Sequence, residues 1–375
     1  MRNVLTTISR ILVGVLFIIS GFIKANDPLG FSYKLDEYFT VFHMQWMSSV
    51  SLWLAMFISV FEIAVGFALL LGAKMKQTAW ALLLMIVFFT FLTFYSAYFD
   101  VVKDCGCFGD ALKLTPWESF TKDVVLLVLI LIIFFNRKTI TPLFGERASS
   151  LIAYSGLLIA LFFTIYTYRH LPLIDFRPYA IGKNIQEGMT LPPDARKDSI
   201  VMVFIYEKDG KQVELSMEQI GQVDDSYKFI DRKDKVIVEG DHPKIHDFNM
   251  YDVDGADHKD EFLSKPGHKF VLVAYDITKS DEKVQHKIND FVALSQKAKI
   301  PFIGLTGSTP QQTDVFRHEH NSMFDYYFCD NTALKTIIRS NPGLLLLNGA
   351  TVEMMWHHND FPSFDEVKAN YLDKK

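Results

Sequence analysis

Asp104-Cys105-Gly106-Cys107-Phe108-Gly109-Asp110 places two of the chain's three cysteines one glycine apart, between two apolar runs of membrane-crossing length. Glycine reaches backbone angles closed to other residues, so Gly106 lets the two sulfurs meet in a small strained ring or stand side by side. A strained, exposed disulfide is oxidising and labile, whereas a buried one pins structure. Spacing alone leaves two readings: thiol–disulfide chemistry at Cys105 and Cys107, or a structural disulfide (or two inert thiols) in a short loop. A reactive thiolate needs a cation or a helix amino end beside it. The loop offers Asp104 and Asp110 against Lys103 alone, which suits a disulfide that is attacked better than a thiolate that attacks.

The elements that hold this loop follow from composition. The chain has 375 residues, half of them hydrophobic, with a net charge of -5. That length suggests two or three domains. Apolar residues crowd the part before about residue 170, and most of the charge follows it. The acidic balance, with no basic stripe or zinc-finger spacing, argues against nucleic acid as a partner. His318-Glu319-His320 and His357-His358 lack ligand spacing, so no metal site is expected. Haem, P-loop and dinucleotide fingerprints are missing from the sequence.

Five runs are long enough to cross about 30 Å of hydrocarbon, which takes about 20 helical residues. They are Val4–Ile23, Ser51–Leu71, Ala79–Phe99, Trp117–Phe135 and Leu151–Tyr168; in the fourth, Glu118, Lys122 and Asp123 occupy the first turns and are expected at the interface, which leaves Val124–Phe135 as the deep part. The first is read as a retained helix, since no small-x-small cleavage site follows it. Arg2, Lys74, Lys76, Arg137, Lys138 and Arg147 mark one side as cytoplasmic. The amino terminus then lies inside, and the Cys-Gly-Cys loop and everything after Tyr168 lie outside the cytoplasm, where disulfides persist. Residues 26–50 read as an amphipathic segment on that outer surface.

Ionisable residues within spans are functional suspects. Glu62 sits near the middle of the second span and must face the bundle interior or be protonated. It is read as a buried ion pair or hydrogen bond, or as a proton or quinone handler. Arg10 lies about two turns into the first span and is read as snorkelling to the headgroups. Lys24 marks the outer end of the first span.

Arg10, Ser20-Gly21-Phe22-x-Lys24, Glu62-x-x-x-Gly66 and Cys105-Gly106-Cys107-Phe108-Gly109 together resemble the MauE/DoxX group of four-helix bacterial membrane proteins. The resemblance covers residues 1–140. It implies help in disulfide acquisition by a periplasmic client, as for MauE-like members of methylamine utilisation, or a subunit of a quinone-linked oxidoreductase, as for DoxX. The bundle is also similar to that of vitamin K epoxide reductase, which passes electrons from cysteines to quinone. The helices here lack a second Cys-x-x-Cys, so a self-contained relay to quinone has no second station.

Beyond residue 185 the pattern changes. Ile200–Tyr206, Tyr227–Ile230 and Lys235–Val238 are β-rich. From Lys269 strands and helices alternate: Phe270–Tyr275, Asp281–Lys297, Ile300–Leu305, Gln311–His320, Tyr326–Cys329, Thr332–Ser340, Leu344–Leu347 and Thr351–Trp356, the last pair joined by an Asn348-Gly349 hairpin. This resembles the thioredoxin fold over residues 266–372, with Pro342 at the position of that fold's cis-proline. The place of the active-site cysteine is Tyr275-Asp276-Ile277-Thr278-Lys279-Ser280, which holds no sulfur, so the domain is expected to be redox-dead. Cys329 reads as a small buried hydrophobe, the alternative being a transient disulfide with Cys105, Cys107 or a partner.

The expected architecture is an α-helical membrane bundle followed by an α/β thioredoxin-like domain. The units are 1–140 (MauE/DoxX-like bundle), 141–185 (fifth transmembrane helix and exit strap), 186–265 (β-rich connection) and 266–375 (thioredoxin-like, periplasmic). The expected setting is the bacterial inner membrane, with the lipid bilayer and a periplasmic client or redox protein as partners. The expected function is thiol–disulfide exchange or maturation at Cys105 and Cys107, with quinone as the candidate cofactor. The alternatives are a non-catalytic assembly scaffold and a quinone-linked oxidoreductase subunit.

Overall fold

The computed structural model describes residues 2–102, 106–196, 199–208, 211–217, 219–224, 226–238 and 240–373. Six helices come first: α1 (Arg2–Asn26), α2 (Pro28–Val41), α3 (Ser51–Leu71), α4 (Met75–Phe99), α5 (Pro116–Asn136) and α6 (Glu146–Arg169). Among the described residues, α1, α3, α4 and α6 are long and apolar enough to cross a membrane. Where five crossing helices were expected, four meet that description. The remaining apolar run forms α5, packed on α4 and α1. Its charged start is local chemistry: Thr115 accepts from the Glu118 N–H, and Glu118 accepts from the Thr115 N–H at 2.9 Å, a reciprocal cap. Ile11, Phe57, Phe88, Val128 and Phe162 all present more than half of their surface outward, a face suited to lipid.

Two glycines let α1 and α3 approach closely. A methyl group on Gly21 would lie 2.9 Å from the Glu62 Cβ, and one on Gly66 would lie 2.9 Å from the Gly14 carbonyl oxygen. Small residues at a helix crossing allow backbones to meet where lipid offers no hydrophobic drive to association. Beside them, α2 begins at Asp27, whose carboxylate accepts from the Gly30 N–H at 2.8 Å, with Pro28 in the first turn. Its Phe31, Leu35 and Phe39 pack against Ala55 of α3. The amphipathic segment expected over 26–50 is thus α2 and the short 3-10 turn Gln45–Val50.

The later part contains α7 (Ile185–Gly188), β1 (Ser199–Lys208), β2 (Lys211–Ser216), β3 (Lys228–Val238), α8 (Lys259–Ser264), β4 (His268–Val273), α9 (Gln285–Lys297), β5 (Phe302–Thr306), α10 (Pro310–His320), β6 (Tyr326–Phe328), α11 (Asn331–Ile337), β7 (Gly343–Asn348), β8 (Thr351–His357) and α12 (Phe364–Val367). Strands β2-β1-β3 make an antiparallel sheet of their own. Two short strands were expected where β3 runs unbroken. Asp231, Arg232, Lys233 and Asp234 interrupt the apolar pattern, yet they are exposed on a ladder whose backbone bonds do not require apolar side chains. β2 was not anticipated.

The second sheet has the order β6-β5-β4-β7-β8, parallel across β4, β5 and β6 and antiparallel at β7 and β8. Strand alternation sends Val271, Val273, Leu345 and Leu347 to one face, against Leu334 and Ile337 of α11. Phe270, Leu272, Leu344 and Leu346 face the other way, onto Ile288 and Phe291 of α9. The peptide bond between Asn341 and Pro342 is cis.

This sheet is tied to the helices at several points. The Asn26 side chain donates to the Ile174 carbonyl at 2.7 Å and accepts from its N–H at 3.1 Å. Asn359 donates to the Arg169 carbonyl at 2.7 Å, and His170 pairs with Asp360 at 2.7 Å. Beside that contact, burial pushes the His357 imidazole down to about 3, and the neighbouring His358 and His170 act in the same direction. An unfolded histidine titrates near about 6.5. Between these values the unfolded chain binds a proton that the folded one refuses, so stability falls as pH drops through that window. The melting temperature of the full-length protein in detergent should fall as pH is lowered from about 6.5 toward 4. His357→Leu should flatten that decline; an unchanged slope would refute the assignment.

Candidate functional site

The site grows from the crossing of α1 and α3. Lys24 and Glu62 are each 3% exposed, and the ammonium lies 2.9 and 3.2 Å from the two carboxylate oxygens. Neither charge is tolerable alone in a low-dielectric bundle; together they satisfy one another. One turn before Lys24, the Ser20 hydroxyl accepts from its ammonium. The same hydroxyl lies 3.0 Å from Glu62 Oε2 and 3.1 Å from the Cys107 carbonyl oxygen. Its single hydrogen serves either acceptor, so the intramembrane pair and the cysteine loop share one donor.

A second pair lies opposite. Asp123 of α5, 1% exposed, takes a 2.6 Å contact from Lys122 and a 3.0 Å hydrogen bond from Thr93 of α4. Lys122 also stands 5.5 Å from the Phe108 ring centroid, a cation–π distance. Ser20, Lys24, Glu62, Cys107, Phe108 and Asp123 line one cavity of about 30 Å³, room for about one water molecule. Two carboxylates and two ammonium groups, together with apolar side chains such as Leu16, Phe89 and Leu126, therefore surround a small void beside Cys107. The loop's own sequence offered Lys103 as its cation, whereas the fold supplies Lys24 and Lys122 from α1 and α5.

Cys107 is disulfide-bonded and 8% exposed. Cys105, named above as the other candidate redox residue, lies outside the described residues, as do Lys103 and Asp104. Gly106 and Gly109 have φ of 73° and 49°, left-handed values that glycine accepts without strain. Behind the loop, Arg339 of the sheet domain holds it to the helices. The guanidinium, 5% exposed, bonds Asp27 at 2.9 and 3.0 Å and lies 3.5 Å from Asp110, three residues after Cys107.

Other residues singled out in the sequence lie apart from this cluster. Arg10 does not reach for headgroups: it donates to the Leu69 carbonyl at 2.8 Å and the Leu70 carbonyl at 2.6 Å, closing the last turn of α3. Pro342 sits at the head of β7, outside both the cavity lining and the Arg339 contacts. Cys329 is a free thiol in the sheet core, and burial pushes it up to about 11, so it is no nucleophile at neutral pH. Lys122, Asp123, Thr93, Asp27 and Arg339 were not among the site residues expected from the sequence. Asp123 had one signal: a carboxylate followed by an unbroken apolar run, where it demands a partner.

Residues 2–136 match the family model of methylamine utilisation protein MauE. Its membrane part is MauE-like. The matched region takes in α1 to α5 with the Lys24–Glu62 and Lys122–Asp123 pairs, and the chain is a membrane protein. Residues 200–239, the β2-β1-β3 sheet, match a domain of unknown function, DUF8463. Protein TlpB of Flavobacterium psychrophilum is 26% identical over 131 residues, which are 34% of this chain and 35% of that protein. The match thus spans about a third of the length of the curated relative.

Removing one partner of a buried ion pair strands the other. Glu62→Leu or Lys24→Met alone should destabilise the protein by about 3–5 kcal/mol, and the double substitution should recover most of that loss. Thermal unfolding of the four proteins of this cycle in one detergent measures the coupling. Additive losses would mean that the two charges do not depend on each other.

Proposed function

We propose that this protein is a thiol–disulfide or maturation factor of the bacterial inner membrane, acting at Cys105 and Cys107 on a client outside the cytoplasm. The observation that carries the reading is the disulfide-bonded Cys107 against a small cavity lined by the buried Lys24–Glu62 pair and by the half-buried Lys122 with the buried Asp123. A purely structural loop has no need of ionisable groups beneath it, and each such group is costly to bury. The MauE-like match adds the association with methylamine utilisation that its name states.

In the proposed reaction a client thiolate attacks one sulfur of a Cys105–Cys107 disulfide. A mixed disulfide forms and the other sulfur leaves as a thiolate. The client's second thiolate then attacks the mixed disulfide, so the client departs oxidised and the protein retains two thiols. Two electrons pass to the protein, and the two protons given up by the client thiols end on Cys105 and Cys107. Glu62, with Ser20 and a cavity water, is the group placed to move a proton to the leaving sulfur. Lys24 and Lys122 are the cations placed to favour that thiolate while it forms. Restoring the disulfide takes a second oxidant, for which quinone is the chemical class the reading supplies.

In this reading α5 is a fifth crossing, the amino terminus is cytoplasmic and the sheet domain is periplasmic. That domain is thioredoxin-like and redox-dead, and it serves as a platform for the client. The test is the redox state of Cys105 and Cys107 in isolated membranes, read by differential alkylation and mass spectrometry across a glutathione series. Reversible titration within about -270 to -120 mV, the range of exchange enzymes, is the expected result. A pair that stays oxidised below about -300 mV is structural, and the scaffold reading then replaces this one.

A further inference from the structure

A cleft of about 610 Å³ opens where the sheet domain meets the membrane helices, on the outer side of the cysteine loop. Its walls come from distant parts of the chain. Gly106 and Gly109 belong to the cysteine loop, Asp36 to α2, Tyr179 to the strap after α6, and Thr336 to α11. We infer that this cleft binds an extended, cysteine-bearing polypeptide segment of the client. The inference rests on the thiol–disulfide reading above and adds where, and in what form, the client is held.

Volume comes first. About 300–1,000 Å³ is the size of sites that enclose a drug-sized ligand, which is the bulk of a few extended residues. The floor beside the cysteines is open at Gly109, where a Cβ would meet only the Ile23 side chain, at 3.7 Å, whereas at Gly106 the Lys34 side chain already lies 3.2 Å from where a Cβ would stand. A peptide main chain can therefore lie close against the loop. The walls also hold polar atoms that the protein itself leaves unpaired. Tyr179 is 1% exposed, yet its hydroxyl has no hydrogen-bond partner, and Asp36 Oδ1 is likewise buried and unpaired. Buried polar groups are nearly always satisfied. Both atoms are closed to solvent in this structure, so a peptide C=O or N–H pairs with them only as the lining parts on binding. Lys113 and Lys244 line the cleft together with Asp36 and Asp247. Such mixed charge suits a peptide better than a phosphate or lipid headgroup. The cleft also needs both halves of the chain, which Arg339 holds together through Asp27 and Asp110.

The test uses the full-length, oxidised protein in lipid nanodiscs. It compares the rates at which a short peptide with two reduced cysteines and dithiothreitol are oxidised. Dithiothreitol reports on the disulfide, whereas the peptide reports on the disulfide and the cleft. Thr336→Trp, which fills the cleft, should lower the ratio of peptide to dithiothreitol rates about tenfold, equivalent to about 1.4 kcal/mol. Tyr179→Phe removes one unpaired hydroxyl while keeping the packing, and should shift the ratio in the same direction. A ratio unchanged in both variants overturns the inference. So does a wild-type protein that oxidises dithiothreitol but not the peptide, or a variant whose main change is loss of bound phospholipid. A wild-type protein inert to both dithiols overturns the thiol–disulfide reading itself, and the cleft assignment with it.

Discussion

Two opposite charges in the interior of the helical bundle set the terms for the rest of this protein. Lys24 and Glu62 are buried among the core residues, and a lone ion there costs several kcal/mol after relaxation. The pair is tolerable only if α1 and α3 cross closely enough for a 2.9 Å contact. Gly21 and Gly66 permit that approach, and a methyl at either would collide with the opposite helix. Ser20 then extends the pair to the Cys107 carbonyl, so the cysteine loop is seated on the same polar cluster. Fold and candidate chemistry are thus one constraint.

A second constraint joins the membrane part to the sheet domain. Arg339 is buried at the boundary and holds two carboxylates from different places: Asp27, which caps α2, and Asp110, just beyond the cysteines. A buried guanidinium serves such a role because its planar fork carries several donors in fixed directions. Asn26 with Ile174 and His170 with Asp360 add further ties along the same boundary. The sheet domain is therefore positioned relative to the cysteine loop by polar contacts that have to form together. The cleft beside the loop is a product of that docking.

Much of the element order was legible in advance, and the reasons are local. Membrane-length apolar runs have few alternatives, and the alternation after Lys269 places strands and helices within a few residues of where they occur. The misreadings have a physical pattern too. Arg10 read as a snorkelling cation because its partners are backbone carbonyls at the end of α3, and carbonyls leave no mark in a sequence. Asp231 to Asp234 read as a break between strands because hydropathy is blind to a ladder with a solvated face. Lys122 and Asp123 read as interfacial charges, since the charged start of an apolar helix normally faces water.

Sequence alone determined the cysteine spacing, the apolar helices, the sulfur-free segment Tyr275–Ser280 and the presence of Glu62 where a charge needs a partner. These follow from side-chain chemistry and local period, which neighbours along the chain suffice to express. Only the tertiary structure decided that Glu62 answers to Lys24, that Lys122 and Asp123 join them below Cys107, and that Arg339 spans the domain boundary. Those partners lie 38 to 312 residues apart or on separate helices, and no local pattern encodes their meeting. Burial decides it, because a charge removed from water accepts whatever opposite charge the packing brings within reach.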